Sequence, residues 1–508
     1  MIQQFIEQER LRYIPQHELS FAIVENMPFD SFEIVEKNRR FFIKGQSQRA
    51  CLYGLYTLIQ QLNQQTFVTL DEPSAVCYET NFEQAKCYVP KLKRRGNVFE
   101  TINDRQFIVQ MIDTGVKNGL NEFFFTFFLW EELAPHILGE LQKRGVSVTL
   151  GGHSLRFLLA RAQGQYTSQD AIDGAINDLI GVKTDFTVEH KIENVHFLND
   201  PDLQRKVIEQ VVSYCKQYEI VTRISLWPED ISVKGLEAQQ FLPLYIAFSE
   251  KLQRALTDEQ CHVEVEHIVY NAGLCWEMLE RNTHEPSQHI NILYAYWGRD
   301  YTEYYENNSD QRAYKALLDW KSQSQQQVTI FEYYSDHFML SELFPPLWHR
   351  IQQDVDSYAL ANDGMLNLVV PLHRDTAKAD HLENYDYQQI QQYNNFIFCR
   401  SMWEGFELQP LEILLQANGN PQLTKELMYE VEQAIAKHSK YNSLLFPSRV
   451  VEGKPSSFAA EIMTDLKQMD EVLQRATQLN QGDFLCHYFE QLKLVVEHSL
   501  IKWGEQVV

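Results

Sequence analysis

"NEFFFTFFLWEELAPHILGELQKRGVSVTLGGHS", residues 121–154, contains one complete repeat of the pattern that decides the fold. The aromatic run "NEFFFTFF" (121–128) predicts a buried strand, and "WEELAPHILGELQKRG" (130–145) has the spacing of a helix. A second strand-like run, "VSVTLGGHS" (146–154), follows immediately. A strand, a helix and another strand in this order are typical of a parallel sheet whose helices cross over between strands.

The same alternation continues on both sides of this unit. Further strand-like runs are "GNVFE" (96–100), "VHFLND" (195–200), "TRISLWPED" (222–230), "HVEVEHIVYN" (262–271), "NILYAYWGRDY" (291–301), "VTIFEYYSDHF" (328–338) and "GMLNLVV" (364–370). About eight repeats over roughly 280 residues predict an α/β fold, a (β/α)8 TIM barrel. Because nine runs are counted, one must lie outside the barrel, and "VHFLND" and "GMLNLVV" are the candidates. A doubly wound open sheet is the alternative.

The chain of 508 residues is too long for a single core, and its pattern changes twice. Residues 1–85 predict a small α/β domain, with short strands and a helix in "GQSQRACLYGLYTLIQQLN" (45–63) that Ser47 would cap. Residues 86–400 are assigned to the catalytic (β/α)8 barrel. Residues 401–508 are assigned to a helical C-terminal domain, since helical spacing dominates there.

Composition limits the classes of partner. The net charge of −24 argues against nucleic acid and against an anionic membrane surface as partners. The basic cluster "KLKRR" (91–95) is interpreted as part of a solvated linker rather than as a binding patch. The sequence lacks an export signal and a spanning apolar run, so we expect a cytoplasmic location.

The cysteine and histidine patterns suggest neither a redox centre nor a metal site. The eight cysteines are scattered without a C-x-x-C pair, and we interpret them as reduced thiols. Histidines and carboxylates lack the close spacing of a zinc site, so no cofactor is expected. The oligomeric state is left open, and a homo-oligomer is one option.

Carboxylates and aromatic residues recur at the ends of the predicted strands, where a (β/α)8 barrel carries its active site. Pyranose rings stack on flat side chains, and their hydroxyls need polar partners, so this mouth suits a small carbohydrate. The residues predicted to bind substrate are His153, Trp227, Asn271, Trp297, Arg299, Asp300, Tyr334 and Asp336.

Cleavage of a glycosidic bond requires two carboxyl groups that flank the bond. Asp230 and Glu332 lie at the ends of different predicted strands and are the predicted catalytic pair, with their individual roles unassigned. Tyr333 and Tyr334 should face opposite sides of their strand, so at most one lines the site, and Glu332 shares a face with Tyr334.

Each of these motifs also has a structural interpretation. "WPED" (227–230) could be the entry turn of a helix, with its two acids near first-turn amides. "WGRD" (297–300) could contain a local Arg–Asp pair that orders a loop, and His153 could serve the packing of "GGHS". Asp336 is expected to lie past the end of its strand.

Several motifs together resemble a known group of proteins. "GQSQRACLYGLYTLIQQL", with Ser47, Arg49, Tyr53 and Gly54, resembles the end of the small domain that precedes the barrel in α-glucuronidases and hexosaminidases. "TLGGHS", "SLWPED", "YAYWGRD" and "EYYSDHF" resemble a bacterial glycoside-hydrolase-like family of formerly unknown function. The similarity extends over about residues 20–375.

The resemblance implies a small α/β domain, a (β/α)8 barrel and carbohydrate chemistry. Asp230 matches the acid that follows the fifth-strand motif of the family, and Glu332 matches the acid before its paired aromatics. Hexosaminidases instead use an adjacent Asp-Glu pair and the acetamide of the substrate, whereas "PED" has the reverse order.

Sequence analysis therefore predicts a glycoside hydrolase that acts on short oligosaccharides or glycosides. The alternatives are a carbohydrate-binding or sensing protein without turnover, and a substrate-assisted N-acetylhexosaminidase. A lyase or isomerase would predict a metal or a lysine base in the mouth, and no lysine ends a predicted strand.

Overall fold

The computed structural model of the chain contains an N-terminal mixed sheet, a closed parallel barrel and a C-terminal group of helices. It describes residues 1–70, 73–162, 197–228, 236–271, 276–281, 284–297, 299, 301, 308–336, 346–360, 362–370, 387–417, 426–434 and 459–479, with isolated residues between 489 and 501. Among these residues, no helix is both long enough and apolar enough to cross a bilayer.

Strands and helices are numbered separately along the chain. The strands are β1 (Leu19–Ile23), β2 (Phe32–Lys37), β3 (Arg40–Gly45), β4 (Gln65–Thr66), β5 (Ser74–Ala75), β6 (Lys86–Pro90), β7 (Arg94–Phe99), β8 (Glu122–Thr126), β9 (Ser147–Gly152), β10 (Val221–Leu226), β11 (Glu264–Tyr270), β12 (Asn291–Ala295), β13 (Val328–Asp336), β14 (Gly364–Val370) and β15 (Trp403–Glu404).

The helices are α1 (Ile2–Tyr13), α2 (Gln48–Asn63), α3 (Arg105–Lys117), α4 (Phe127–Arg144), α5 (Leu155–Ala162), α6 (Pro201–Gln217), α7 (Leu236–Asp258), α8 (Trp276–Leu279), α9 (Asn308–Gln323), α10 (Trp348–Ala359), α11 (Tyr387–Ser401), α12 (Pro410–Gln416) and α13 (Ala459–Leu479).

The first sheet has the order β1-β3-β2-β6-β15, and α2 packs its apolar face against it. Ser47 caps α2 as predicted, because its Oγ accepts a hydrogen bond from the Ala50 amide at 3.2 Å. The sheet recruits β6 and β15 from chain segments that flank the barrel. The N-terminal sheet and the barrel are therefore interleaved in the chain.

The barrel closes in the order β10-β11-β12-β13-β14-β7-β8-β9, and every neighbouring pair is parallel. This confirms the predicted (β/α)8 fold and excludes an open sheet. "GMLNLVV" is the strand β14, whereas "VHFLND" contributes the 3-10 turn Phe197–Asn199 and is the run that lies outside the barrel.

The basic cluster 91–95 is not a solvated linker, because its last two residues begin β7 and are buried. The Arg94 guanidinium contacts Glu122 at 2.7 Å on the neighbouring strand and Glu266 at 2.5 Å across the barrel. Burial alone would raise the pKa of the Glu122 carboxyl, but the charge of Arg94 outweighs it and lowers that pKa. Arg94 therefore faces the lumen and fills the base of the barrel.

Arg95 faces the other side of β7 and joins the barrel to the N-terminal sheet. Its Nη2 contacts Asp30 Oδ2 at 2.8 Å, and Asn121 Nδ2 donates to the same oxygen at 2.9 Å. Arg49 Nη2 contacts Asp30 Oδ1 at 2.7 Å, and Arg49 also donates to the Gly145 carbonyl. Both oxygens of the fully buried Asp30 carboxylate are thus satisfied.

Candidate active site

The faces of the barrel strands follow from the contacts at its base. Arg94 donates to Thr329 Oγ1 at 3.2 Å inside the lumen, so every second residue of β13 after Thr329 should also face inward while pairing stays regular. The registry between strands then carries this assignment around the barrel. Inward-facing residues at or near the carboxyl ends are Glu100, Thr126, His153, Trp227, Tyr270, Trp297, Phe331, Tyr333 and Asp336.

A carboxylate–imidazole pair links the ends of β7 and β9, the two strands that flank β8. The Glu100 carboxylate accepts hydrogen bonds from the His153 backbone amide at 2.9 Å, and its Oε1 lies 3.1 Å from His153 Nδ1. The His153 side chain is 30% exposed and that of Glu100 is 13% exposed. The pair is therefore fixed in orientation but accessible from the mouth.

Two glycines make this pairing possible. Gly152 has φ +61, and a Cβ there would lie 2.5 Å from Glu100 Oε1. A Cβ on Gly151 would lie 1.7 Å from the Ser225 carbonyl oxygen. Side chains at either position would therefore push the end of β9 away from its neighbours. The close approach of these two glycines to Ser225 and Glu100 carries His153 to Glu100.

Aromatic rings close the lumen beneath this pair. The Trp227 ring contacts His153, Phe124 and Phe331 edge-on, with centroid distances of 5.3, 5.2 and 5.1 Å. Its Nε1 donates to Ser225 Oγ at 2.9 Å, and the residue is buried. Trp227 thus forms an apolar floor in the upper lumen.

A bulge in β13 places Asp336 in the lumen. Glu332 pairs with Asn367 and Ser335 pairs with Val369, so β13 takes three steps where β14 takes two. Asp336 consequently pairs with the inward-facing Val370, although regular alternation would place it on the face of Glu332. Asp336 is the last residue of the strand rather than a residue beyond it, which corrects the expectation from sequence.

Glu332 lies on the outer face of β13, against α10. Its Oε1 accepts from Arg299 Nη1 at 2.9 Å and from the Tyr358 hydroxyl at 3.0 Å, and its Oε2 accepts from the Tyr301 hydroxyl at 3.0 Å. Burial, together with the nearby charge of Asp354, raises the pKa of the Glu332 carboxyl to about 6, although Arg299 opposes this. This geometry disfavours the choice of Glu332 as a catalytic carboxylate.

Arg299 and Tyr334 belong to the same outer cluster. Arg299 makes a bidentate contact to Asp354 at 2.7 and 2.8 Å, and the Tyr334 hydroxyl donates to Asp354 Oδ2 at 2.8 Å. Both residues are buried between the barrel wall and α10. They do not share the lumen with His153 and Trp227, so neither is placed to bind a sugar in the mouth.

Asn271 contacts the backbone rather than the lumen. Its Nδ2 donates to the Trp297 carbonyl at 2.7 Å, and its Oδ1 accepts from the Trp297 amide at 2.8 Å. Asn271 therefore fixes the chain that follows β12. Trp297 lies two residues after the inward-facing Ala295, so it shares the inward face, and it is half-buried. Asp230 and Asp300 lie outside the described residues.

Glu100 is the polar residue of the mouth that sequence analysis missed. The signal was present, because Glu100 ends the run "GNVFE" as acids end several other strand-like runs. Among the described residues, no group of three or more His, Cys, Asp or Glu side chains is arranged to hold a metal ion.

Comparison with solved structures shows that other proteins have a similar architecture. No protein-family model and no curated protein matches the chain. A GH138 enzyme that targets pectin rhamnogalacturonan II has a TM-score of 0.59 at 11% identity, covering 100% of this chain and 67% of its own. A GH115 4-O-methyl-α-glucuronidase with specificity for decorated arabinogalactans has a TM-score of 0.54 at 10% identity, covering 99% of this chain and 66% of its own.

The chain has the fold of these glycoside hydrolases. It spans about two thirds of the length of both enzymes. A β-N-acetylhexosaminidase from Bacteroides fragilis is more distant, with a TM-score of 0.44 at 13% identity, covering 77% of this chain and 84% of its own. The fold that the resemblance to α-glucuronidases implied is thus confirmed by the GH115 structure.

Proposed function

We propose that this chain is a glycoside hydrolase whose carboxylate pair is Glu100 and Asp336. The observation that supports this most is that both acids face the same lumen at its carboxyl end, over the Trp227 floor. Their strands are separated by β14 alone, and neighbouring strands lie roughly 4.8 Å apart. The carboxyl groups would then be separated by roughly 5–10 Å, as cleavage of a glycosidic bond requires.

The surrounding residues suggest a division of roles. Of Asp336 and Glu100, one would protonate the leaving oxygen. The other would activate water or attack the sugar carbon. His153, oriented by Glu100, would bind a sugar hydroxyl, and Trp297 would offer a stacking surface at the rim. Asp230, which follows β10 in the sequence, stays a predicted catalytic acid.

The proposed substrates are glycosides in general, without the particular specificity of either structural neighbour. The GH115 neighbour acts on glucuronic acid derivatives, which makes a uronide one candidate for this chain. Arg299 was predicted from sequence to bind substrate and could have paired with a uronate carboxylate, but its guanidinium contacts Glu332 and Asp354 outside the lumen. A uronide would therefore need a different cationic partner.

A carbohydrate-binding protein without turnover is the second candidate. The polar and aromatic lining of the mouth would serve binding as well as hydrolysis, and a barrel fold does not by itself imply an activity. A single measurement series separates the two candidates, because binding and turnover can be recorded on the same ligands.

The test uses the full chain and a broad panel of ligands. The panel contains aryl glycosides of both anomers, including uronides and N-acetylhexosaminides, and oligosaccharides from rhamnogalacturonan II and arabinogalactan. Chromatography records product release, and calorimetry records binding. Turnover that Asp336→Asn abolishes and the exposed-site control Asp356→Asn retains would support the hydrolase.

Two other results decide against the hydrolase. Binding of a ligand by the wild type without product release would support the binding protein instead. The absence of both binding and turnover over the whole panel would count against both candidates.

A further inference from the structure

We propose that Gln391 and Asn394 of α11 are positioning residues that hold the β13 bulge and so direct Asp336 into the lumen. This inference rests on the proposed function, because it concerns an acid of the proposed site. It adds two residues that lie outside the barrel wall and that would not touch the substrate.

The first observation concerns side chains at the bulge. Tyr334 and Ser335 are consecutive, yet both face outward: the Tyr334 hydroxyl donates to Asp354, and Ser335 Oγ accepts from Asn367 Nδ2 at 2.9 Å. Two consecutive outward residues turn the next residue, Asp336, inward. The orientation of Asp336 thus depends on the single extra residue of the bulge.

The second observation concerns the backbone of the bulge. Asn394 Nδ2 donates to the Tyr334 carbonyl at 2.9 Å, and Gln391 Nε2 donates to the Ser335 carbonyl at 2.9 Å. All four residues are almost completely buried. A bulge interrupts the ladder of hydrogen bonds between strands, and buried carbonyls must find other partners. The two side-chain amides provide those partners.

The spacing on α11 explains why both amides reach the bulge. Residues three apart lie on one face of a helix, so Gln391 and Asn394 project together toward β13. Without an amide, the carbonyl that loses its donor is buried and unsatisfied, and regular pairing of β13 with β14 becomes more favourable. Regular pairing would move Asp336 to the outer face.

The kinetic test compares two neighbouring glutamines of α11. Gln391→Met removes the donor to the bulge, while Gln392→Met removes an amide whose Oε1 accepts from the Leu70 backbone amide at 3.1 Å. Each variant therefore loses one buried amide contact, and their midpoints of thermal unfolding should fall by similar amounts. On a substrate of the wild type, Gln391→Met should lower kcat about 10- to 100-fold with KM unchanged.

Gln392→Met should retain the kcat and the pH profile of the wild type, whereas Gln391→Met should alter the profile. Combining Gln391→Met with Asp336→Asn should lower kcat no further than Asp336→Asn alone, because the glutamine acts through Asp336. Equal kcat losses in the two methionine variants, or additive losses in the double variant, would overturn the proposal.

A structural readout keeps this proposal separate from the proposed function. Crystal structures of the wild type and of the double variant Gln391→Met/Asn394→Leu should differ in the face that Asp336 occupies. If the wild type cleaves nothing, the hydrolase is rejected, yet an outward Asp336 in the variant would still support the positioning role. An inward Asp336 in the folded double variant would reject the positioning role even if the wild type is active.

Discussion

The carboxylates of Glu332 and Asp336 lie four residues apart on β13 and face opposite sides of the barrel wall. Glu332 contacts Arg299 and two tyrosine hydroxyls in the layer between barrel and helices. Asp336 pairs with Val370 and faces the lumen. Two acids of one short motif thus lie in different environments, and substitution of each should have a different effect.

Replacing Asp336 with Asn should abolish most of the activity. The variant keeps the shape of the side chain but can no longer exchange a proton, so kcat should fall about 100- to 10,000-fold. The midpoint of thermal unfolding should change little. Steady-state kinetics on the substrate found in the ligand panel measure the loss.

Glu332→Gln is the matched control on the same strand. It should keep kcat near the wild-type value and, at about pH 5, reduce the free energy of unfolding by about 1–3 kcal/mol, because the amide nitrogen of Gln cannot accept the hydrogen bonds that one carboxylate oxygen accepts. Unaltered activity of Asp336→Asn together with an inactive, fully stable Glu332→Gln would identify Glu332, and not Asp336, as the catalytic carboxylate.

The stability of the protein should depend on pH through Glu332. Its pKa is raised from 4.5 to about 6, so the stabilisation is fully present below about pH 4.5 and is lost as pH rises through about 6. The shift corresponds to about 2 kcal/mol. Chemical unfolding should show that the stability of the wild type relative to Glu332→Gln falls by this amount between about pH 4.5 and pH 7.

The exposed variant Asp356→Asn provides the background for that measurement, since it lies on α10 near the same cluster. Its stability relative to the wild type should not follow the same curve. A wild-type advantage over Glu332→Gln that grows with pH would show that the sign of the shift is wrong.

Substitution of Gly152 should disturb the Glu100–His153 pair. In Gly152→Ala the new Cβ would lie 2.5 Å from Glu100 Oε1, and φ +61 is unfavourable for alanine. We expect a stability loss of about 1–3 kcal/mol and weaker ligand binding by calorimetry.

The control is Gly139→Ala in α4, where a Cβ meets no atom within 4 Å. This change should stabilise the protein by about 0.5–1 kcal/mol and leave ligand affinity unchanged, because alanine favours a helix interior. Equal affinities for both alanine variants would argue against a role of the pair in binding.

Removal of the Asp30 carboxylate should weaken the link between the N-terminal sheet and the barrel and so lower the free energy of unfolding. Asp30→Ala leaves Arg49 and Arg95 buried without their shared partner, and the free energy of unfolding should fall by about 3–5 kcal/mol. Glu33→Ala, which removes a more exposed contact to Lys44, should cost less than about 1 kcal/mol. Urea unfolding of both variants measures the difference, and similar losses would show that the buried cluster is not a special link.

The barrel was predictable because its signal is periodic and repeated. Each strand-like run alternates with a helix, and "NEFFFTFF" contains the strand β8, which is buried on both faces, as a strand between lumen and helices must be. The opposite faces of Tyr333 and Tyr334 also follow from alternation, and the structure confirms them through the contacts of Tyr333 with Phe331 and of Tyr334 with Asp354.

The site was less predictable because its decisive features are not local. Nothing in "EYYSDHF" indicates an extra residue relative to β14, so neither the bulge nor the inward face of Asp336 could be predicted, and Asp336 was expected beyond the end of its strand. The burial of Arg94 depends on Glu122 and Glu266, which are distant in the chain. Glu100 was identifiable from the end of its strand-like run, but its pairing with His153 was not.

The bulge also has an evolutionary consequence. Because the bulge consists of one additional residue, loss of a single codon within 333–335 would return β13 to regular pairing with β14. The acid would then lie three residues after Glu332 and still pair with Val370, so regular alternation would keep it facing the lumen. Homologues that are one residue shorter in this strand are therefore expected to keep the inward acid without needing the two amides of α11.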